Sequence, residues 1–325
     1  MSILTKLARA ICIASLFSSL QLFADEEETQ DILFGKRPTP WFTGPLIAPS
    51  GYTVKPGHFK VQPYLDVFVD VGHYNSHWKS ESIPNFYNIS LRTSFKVGVL
   101  SWMDAQMAPK VSCKETQGVD SYGICDLPIG FNFQIVTSSV DAPWPAVKLI
   151  LGTSIPIGKY QKLNPRRKGT DGMGNGCWYP EAGLVLSKLF YFTGIHYLET
   201  RFYSTYRVGT PTFVKGRSVY GGDKTNRGTA YPGNTFIADF AFEYNLTQNW
   251  AIACDFYYSH RNHNRFSGKT NTPAVKPSCE QFSLAPAVEY NWSKTLGVVG
   301  GIWFSVAGRN TPQFINGILS LNAYF

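Results

Sequence analysis

An all-β fold, a transmembrane antiparallel up-and-down β-barrel of about 12 strands, is what this chain predicts, and three observations predict it. Segment after segment alternates apolar with polar residues, with charges spaced along one face. The connections alternate between short and long. The chain opens with an export-type leader and closes on an alternating strand that ends in Phe325.

Composition narrows the class first. The 325 residues are 44% hydrophobic and 15% aromatic but only 16% charged. Mean hydropathy is nevertheless −0.13, so apolar residues are interleaved with polar ones rather than massed. A membrane helix needs about 20 consecutive apolar residues, and no such run follows the N-terminus. That excludes a helical bundle in the membrane.

The leader has three parts: basic Lys6 and Arg9, an apolar stretch from Ala10 to Phe23, and Ala24 before the acidic run Asp25 to Glu28. This reads as a signal peptide over residues 1–24. Residues 25–56 are rich in Pro and Gly and have no period. They are taken as an irregular lead segment on the periplasmic side, with a piece tucked into the barrel mouth as the alternative. Residues 57–325 form the barrel.

Period-two alternation marks each strand, because successive side chains point to opposite faces. Phe59 to Val71 sets Val61, Leu65, Val67 and Val69 against Lys60, Gln62, Asp66 and Asp70. Tyr87 to Val99 sets Ile89, Leu91, Phe95 and Val97 against Arg92 and Lys96. Met103 to Val111 carries Asp104, Gln106 and Lys110 on its polar face. Leu127 to Ile135 opposes Phe131 and Phe133 to Asn132 and Gln134, and Val147 to Ile157 opposes Leu149 and Leu151 to Lys148. Trp178 to Leu186 carries Glu181, and Leu198 to Val208 opposes Phe202 and Tyr206 to Glu199, Arg201 and Arg207. Phe236 to Tyr244 then sets Phe240 and Phe242 against Asp239 and Glu243. Trp250 to Tyr258 sets Phe256 against Asp255, and Phe282 to Tyr290 sets Leu284 and Val288 against Glu289. Leu296 to Val306 and Ile315 to Phe325 complete the set.

Connections after even-numbered strands are short, for example 245–249 and 291–295, whereas 159–177, 209–235 and 259–281 are long. Short periplasmic turns and long external loops are the plan of an outer-membrane barrel. Aromatic residues near strand ends, among them Trp102, Trp178, Tyr244 and Trp250, suit the two interfacial girdles. The outer membrane is therefore the expected location and its lipid the expected partner. The strand ending in Phe325 is expected to engage the barrel assembly machinery.

Inside such a barrel Lys60, Asp66, Arg92, Lys96, Asp104, Lys110, Glu199, Arg201, Asp239, Glu243, Asp255 and Glu289 are the lumen-lining candidates. Charges of both signs either pair into a rigid plug or line a narrow aqueous path. Export leaves five cysteines after Cys12 is removed, in a compartment that favours disulfides. Cys113 with Cys125, which flank one predicted external loop, is the expected pair, and Cys177 with Cys279 is a second candidate. Cys254 falls on the lipid face. No spacing suggests a metal site, and no cofactor is expected. The net charge of +8 concentrates in the long loops, as at Arg166, Arg167, Arg217 and Lys269. An exported barrel has no use for that charge in binding nucleic acid. His260 and His263 with Asn262 and Ser267 lack the pattern of the outer-membrane phospholipase, which is also a twelve-strand barrel, so no enzyme activity is expected.

Several stretches resemble a known family, that of the MetA pathway of phenol degradation, whose members are outer-membrane transporters. They are Ser154-Ile155-Pro156-Ile157-Gly158-Lys159-Tyr160, Gly172 to Gly176, Ser187-Lys188, Tyr244 to Trp250, Gly308-Arg309-Asn310 and the lead Pro40-Trp41-Phe42-Thr43-Gly44-Pro45-Leu46. The resemblance implies a barrel and passage of small hydrophobic or aromatic solutes, and supplies no catalytic residue. A channel or transporter for small solutes is therefore the leading expectation. The alternative is a non-conducting structural or surface-interaction barrel with a charge-filled lumen.

Overall fold

The computed structural model describes residues 37–271 and 275–325, so the expected signal peptide lies outside the described residues. In chain order the strands are β1 (Phe59–Tyr74), β2 (Ser80–Glu81), β3 (Phe86–Leu100), β4 (Met103–Met107), β5 (Lys110–Thr116) and β6 (Val119–Ile124). Then come β7 (Leu127–Val136), β8 (Ala146–Ile155), β9 (Glu181–Thr193), β10 (His196–Arg207), β11 (Thr212–Lys215) and β12 (Arg227–Tyr231). The last six are β13 (Thr235–Asn245), β14 (Trp250–Arg261), β15 (Arg265–Lys269), β16 (Cys279–Asn291), β17 (Leu296–Arg309) and β18 (Thr311–Tyr324). Counting β4 with β5 and β6 with β7 as single interrupted strands, the wall is a closed 12-strand antiparallel barrel. β11, β12 and β15 form a separate small sheet at the external end.

Closure follows from the demand that no backbone group face lipid unpaired. β1 pairs with β3 on one side and with β18 on the other, from Lys60 opposite Tyr324 to Tyr74 opposite Thr311. At the periplasmic end of this seam Phe59 and Phe325 exchange backbone hydrogen bonds of 2.9 and 2.8 Å, and their rings stack at 4.8 Å.

Burial is inverted relative to a soluble protein. Asp104, Lys148, Asp255 and Glu289 are 0% exposed or nearly so, while Phe192 is 59%, Ile302 52% and Leu319 53% exposed. Alternation sends every second side chain outward, where lipid rather than another sheet covers it. Trp102, Phe192, Trp250 and Trp292 ring the periplasmic end. Trp78, Tyr206 and Phe282 stand towards the external one, which gives the two girdles.

Three expectations are corrected. β9 begins at Glu181 rather than Trp178 and runs on to Thr193, so the expected connection 187–197 shrinks to Gly194 and Ile195. Phe190 and Phe192 extend its lipid face, which makes the longer strand favourable. The loop expected between the third and fourth strands is instead a hairpin of β5 and β6 turning at Gln117 and Gly118, with φ of 47° and 75°. Finally, residues 37–56 are not a segment on the periplasmic side of the barrel: they thread into the lumen.

Candidate functional site

The lumen is built by two components, the inward faces of the strands and the inserted segment. Irregular backbone at membrane depth must find hydrogen-bond partners inside the protein. Residues 37–56 find them on the wall. Arg37 enters beside the periplasmic turn 137–145, with two hydrogen bonds of 2.8 Å to Asp141. Tyr197 donates to the Pro38 carbonyl at 2.8 Å, and Asn245 and Asn291 both donate to that of Trp41. The Thr43 N–H then donates to Glu289 at 2.6 Å. Those of Leu46 and Ala48 donate to the two oxygens of Asp255 at 3.0 and 2.9 Å.

From there the segment crosses the lumen and descends. The Lys148 ammonium donates to the Ser50 carbonyl, and the Thr53 N–H donates to Gln134 at 3.0 Å. The Val54 N–H donates to Asp104 at 2.8 Å. Each acid thus accepts backbone N–H groups that no sheet could satisfy.

Room for the insertion comes from small inward residues. Leu46 packs against Ala253, Ala285, Ala287, Val299 and Ile318. Gly301 faces it so closely that a Cβ there would come within 2.8 Å of Leu46. At the exit Gly98 lies against the Lys55 carbonyl, and a Cβ would approach its oxygen to 1.7 Å, so only glycine fits. Pro56 bridges to that same Gly98 before β1 begins.

A compact charge cluster anchors the middle of the wall. Glu199 and Glu243 stand directly opposite each other on β10 and β13. Arg201 lies between them, 3.0 and 2.8 Å from the two oxygens of Glu199 and in an ion pair with Glu243. Ser187 donates to Glu199 at 2.7 Å. Above it Arg207 pairs with Glu181 at 2.5 Å. Buried like charges require such a partner, since isolated ones are strongly disfavoured.

The register puts all twelve lumen candidates on the inward face. It does not bring them into one group. Glu199, Arg201 and Glu243 meet directly, and Asp104, Asp255 and Glu289 meet the inserted segment. Asp66 accepts from Asn316 at 3.2 Å. Asp239 is buried beside Asp255. Lys60, Arg92, Lys96 and Lys110 line the opposite wall, with Arg92 stacked 4.1 Å from the centroid of the Tyr64 ring. Between that wall and the inserted segment lies a cavity of about 600 Å³.

The cysteine expectations fail on register. Cys113 pairs with Tyr122, whereas the Cys125 N–H bonds to Lys110, so the two side chains leave opposite faces of the hairpin and do not form a disulfide. The two-residue turn at Gln117 and Gly118 sets this register, and after it the Asp126 carboxylate accepts the Gly158 and Asn175 N–H groups at 2.9 and 2.6 Å. Cys177 is buried with its Sγ 3.5 Å from the Tyr220 hydroxyl, while Cys279 opens β16 opposite Arg261, so that pair is not brought together either. Cys254 shares the outward face with Ile252 and Phe256. His260 contacts Glu280 at 3.2 Å and Asn262 at 3.0 Å, while Ser267 sits on the external sheet opposite Thr229. No nucleophile–base pair forms there.

Sequence reasoning put Asn132 and Gln134 on a polar face but missed the inward Asn245 and Asn291, and missed the inserted segment that Gln134, Asn245 and Asn291 bind. The available signal was the row of inward alanines at 241, 251, 253, 285 and 287, too small to fill a lumen without something else in it.

The family model described as "Putative MetA-pathway of phenol degradation" matches residues 59–321. No curated protein sequence matches the chain. An outer membrane channel from Pseudomonas putida F1 is similar in fold at 10% identity, with a TM-score of 0.67 over 86% of this chain and all of that one. A toluene transporter of Pseudomonas putida is more distant, at 12% identity and a TM-score of 0.40 over 90% of this chain and 96% of its own.

Proposed function

The chain belongs to this family, the MetA pathway of phenol degradation, and from that premise we propose that it is a channel for small apolar or aromatic solutes across the bacterial outer membrane. The observation that carries the reading is the lumen cavity of about 600 Å³ that remains beside the inserted segment. Ligand pockets are typically of about 300–1,000 Å³ and mostly apolar, with a few placed polar groups. Tyr64, Tyr257, Trp303, Ile47, Ile150 and Ile237 supply the apolar lining here. The reading contains no catalytic step and no cofactor. Its partners are outer-membrane lipid around the apolar belt and the assembly machinery at the strand ending in Phe325.

Planar-bilayer recording of refolded protein tests it. Discrete current steps, reduced by Ser94→Trp at the cavity wall, are expected. Electrical silence of folded protein contradicts the reading. It would support the second one, a non-conducting structural barrel, which the hydrogen bonds of residues 37–56 to both walls favour.

A further inference from the structure

One wall of the lumen carries a ladder of cations that no ion pair among the described residues neutralises. Lys60 on β1 stands directly opposite Lys96 on β3, and Arg92 on β3 directly opposite Lys110 on β5. Like charges facing each other across strands are destabilising, yet this arrangement occurs twice in neighbouring positions. Among the described residues none of the four takes part in an ion pair. The acids nearest in register are already engaged: Asp104 by the Val54 N–H and Asn132, and Asp66 by Asn316. Of the acids that line the cavity, Glu181 pairs with Arg207 and Glu199 with Arg201, whereas Lys60, Arg92 and Lys96 line it without such a partner. The asymmetry therefore lies in the cavity lining, where the charge left unpaired is positive.

Lys60, Arg92 and Lys96 line that cavity together with the rings of Tyr64, Tyr257 and Trp303. Resting on the channel reading and narrowing it, we propose that this wall is a binding and selection site for a small ring-bearing organic anion, such as an aromatic carboxylate. The anionic group sits between Lys60 and Lys96 and offsets their repulsion. Arg92, held in place by Tyr64, presents its guanidinium to the same group, and the flat apolar body lies against the aromatic side. Lys60 stands near the periplasmic end of β1, so the ladder descends from Lys110 towards the exit. Outside, Lys215, Arg227 and Lys269 form one row across β11, β12 and β15 and raise the anion concentration near the barrel.

The test uses the refolded full chain in a planar bilayer, with its folding checked by heat-modifiable gel mobility. The reversal potential is read with benzenesulfonate, a permanently charged ring anion, against phenyltrimethylammonium, a ring cation of similar size. The expected wild-type result is a permeability ratio of about tenfold in favour of the anion. Lys60→Gln with Lys96→Gln should abolish the preference while current persists, and Lys60→Arg with Lys96→Arg should retain it. Current with no anion preference in the wild type overturns the proposal but leaves the channel intact, and so does a preference that survives the glutamine pair. Absence of current with either salt overturns the channel reading and this proposal with it. The wild-type comparison decides even where a variant fails to fold.

Discussion

The two walls of the lumen answer the same problem, charge inside a membrane, in opposite ways. On β10, β13, β14 and β16 the acids are held by structure: Arg201 bridges Glu199 and Glu243, the inserted backbone donates to both oxygens of Asp255 and to one of Glu289, and Asp239 is buried beside Asp255. On β1 and β3 the cations Lys60, Lys96 and Arg92 line the open cavity, with Lys110 of β5 opposite Arg92. Residues of equal polarity in the sequence thus have different duties, and an internal partner is what separates them. The acidic wall holds the insertion. The basic wall remains available to a solute.

Substitutions on the two sides should therefore differ in size and sign. Arg201→Met leaves Glu199 and Glu243 buried and opposed, and should cost ~3–5 kcal/mol. Denaturant unfolding in detergent micelles would read this, and Glu243→Gln in the same chain should recover part of it. If Arg201→Met unfolds no more easily than Lys96→Met, the contrast between the walls is wrong. Next in size is Asp255→Ala, which removes the acceptor for two backbone N–H groups at a cost of about 2 kcal/mol each. It should also raise the single-channel current, because the segment at Leu46 to Ala48 is released. Unchanged current would mean that the insertion does not limit the path.

Lys96→Gln should act in the other direction. Relieving the repulsion with Lys60 is expected to stabilise the barrel, by less than about 1 kcal/mol. A loss of stability would reveal an internal partner for Lys96. The smallest effect lies outside the membrane, in the loop 156–180. There burial pushes the Asp171 carboxyl up, but the Lys159 ammonium at 2.7 Å and the Asn164 N–H at 3.0 Å hold it net below its ordinary 3.8. A lowered carboxyl contributes stability that is present above its unfolded value and lost as pH falls through the folded one. Amide exchange at Asn164 should therefore accelerate relative to the barrel strands only below pH 3.8, and no earlier.

The alternation that marks the strands comes from lipid on one side and polar groups on the other, so it is written into nearly every strand from Phe59 onward. It made the barrel and the inward position of each charge legible. Strand ends were less so, because β6 carries Asp120, Ser121 and Gly123, residues that read as loop until pairing with β5 is seen. The two-residue turn at Gln117 and Gly118 carries no alternation of its own, yet the register it sets turns Cys125 away from Cys113. The insertion of residues 37–56 was hidden for a related reason. A Pro- and Gly-rich stretch has no period, and its fate is fixed by acids such as Asp255 and Glu289 that lie more than 200 residues away. Which charges serve structure and which face a solute could not be read before those partners were known.

Cysteine accessibility tests the division of the lumen most directly. In a chain whose native cysteines are replaced by serine, Ser94→Cys places a thiol on the open basic wall and Ala251→Cys places one on the filled acidic wall. A charged methanethiosulfonate reagent should block the current of Ser94→Cys and leave that of Ala251→Cys untouched. Equal block of both, or block of Ala251→Cys alone, would contradict the division.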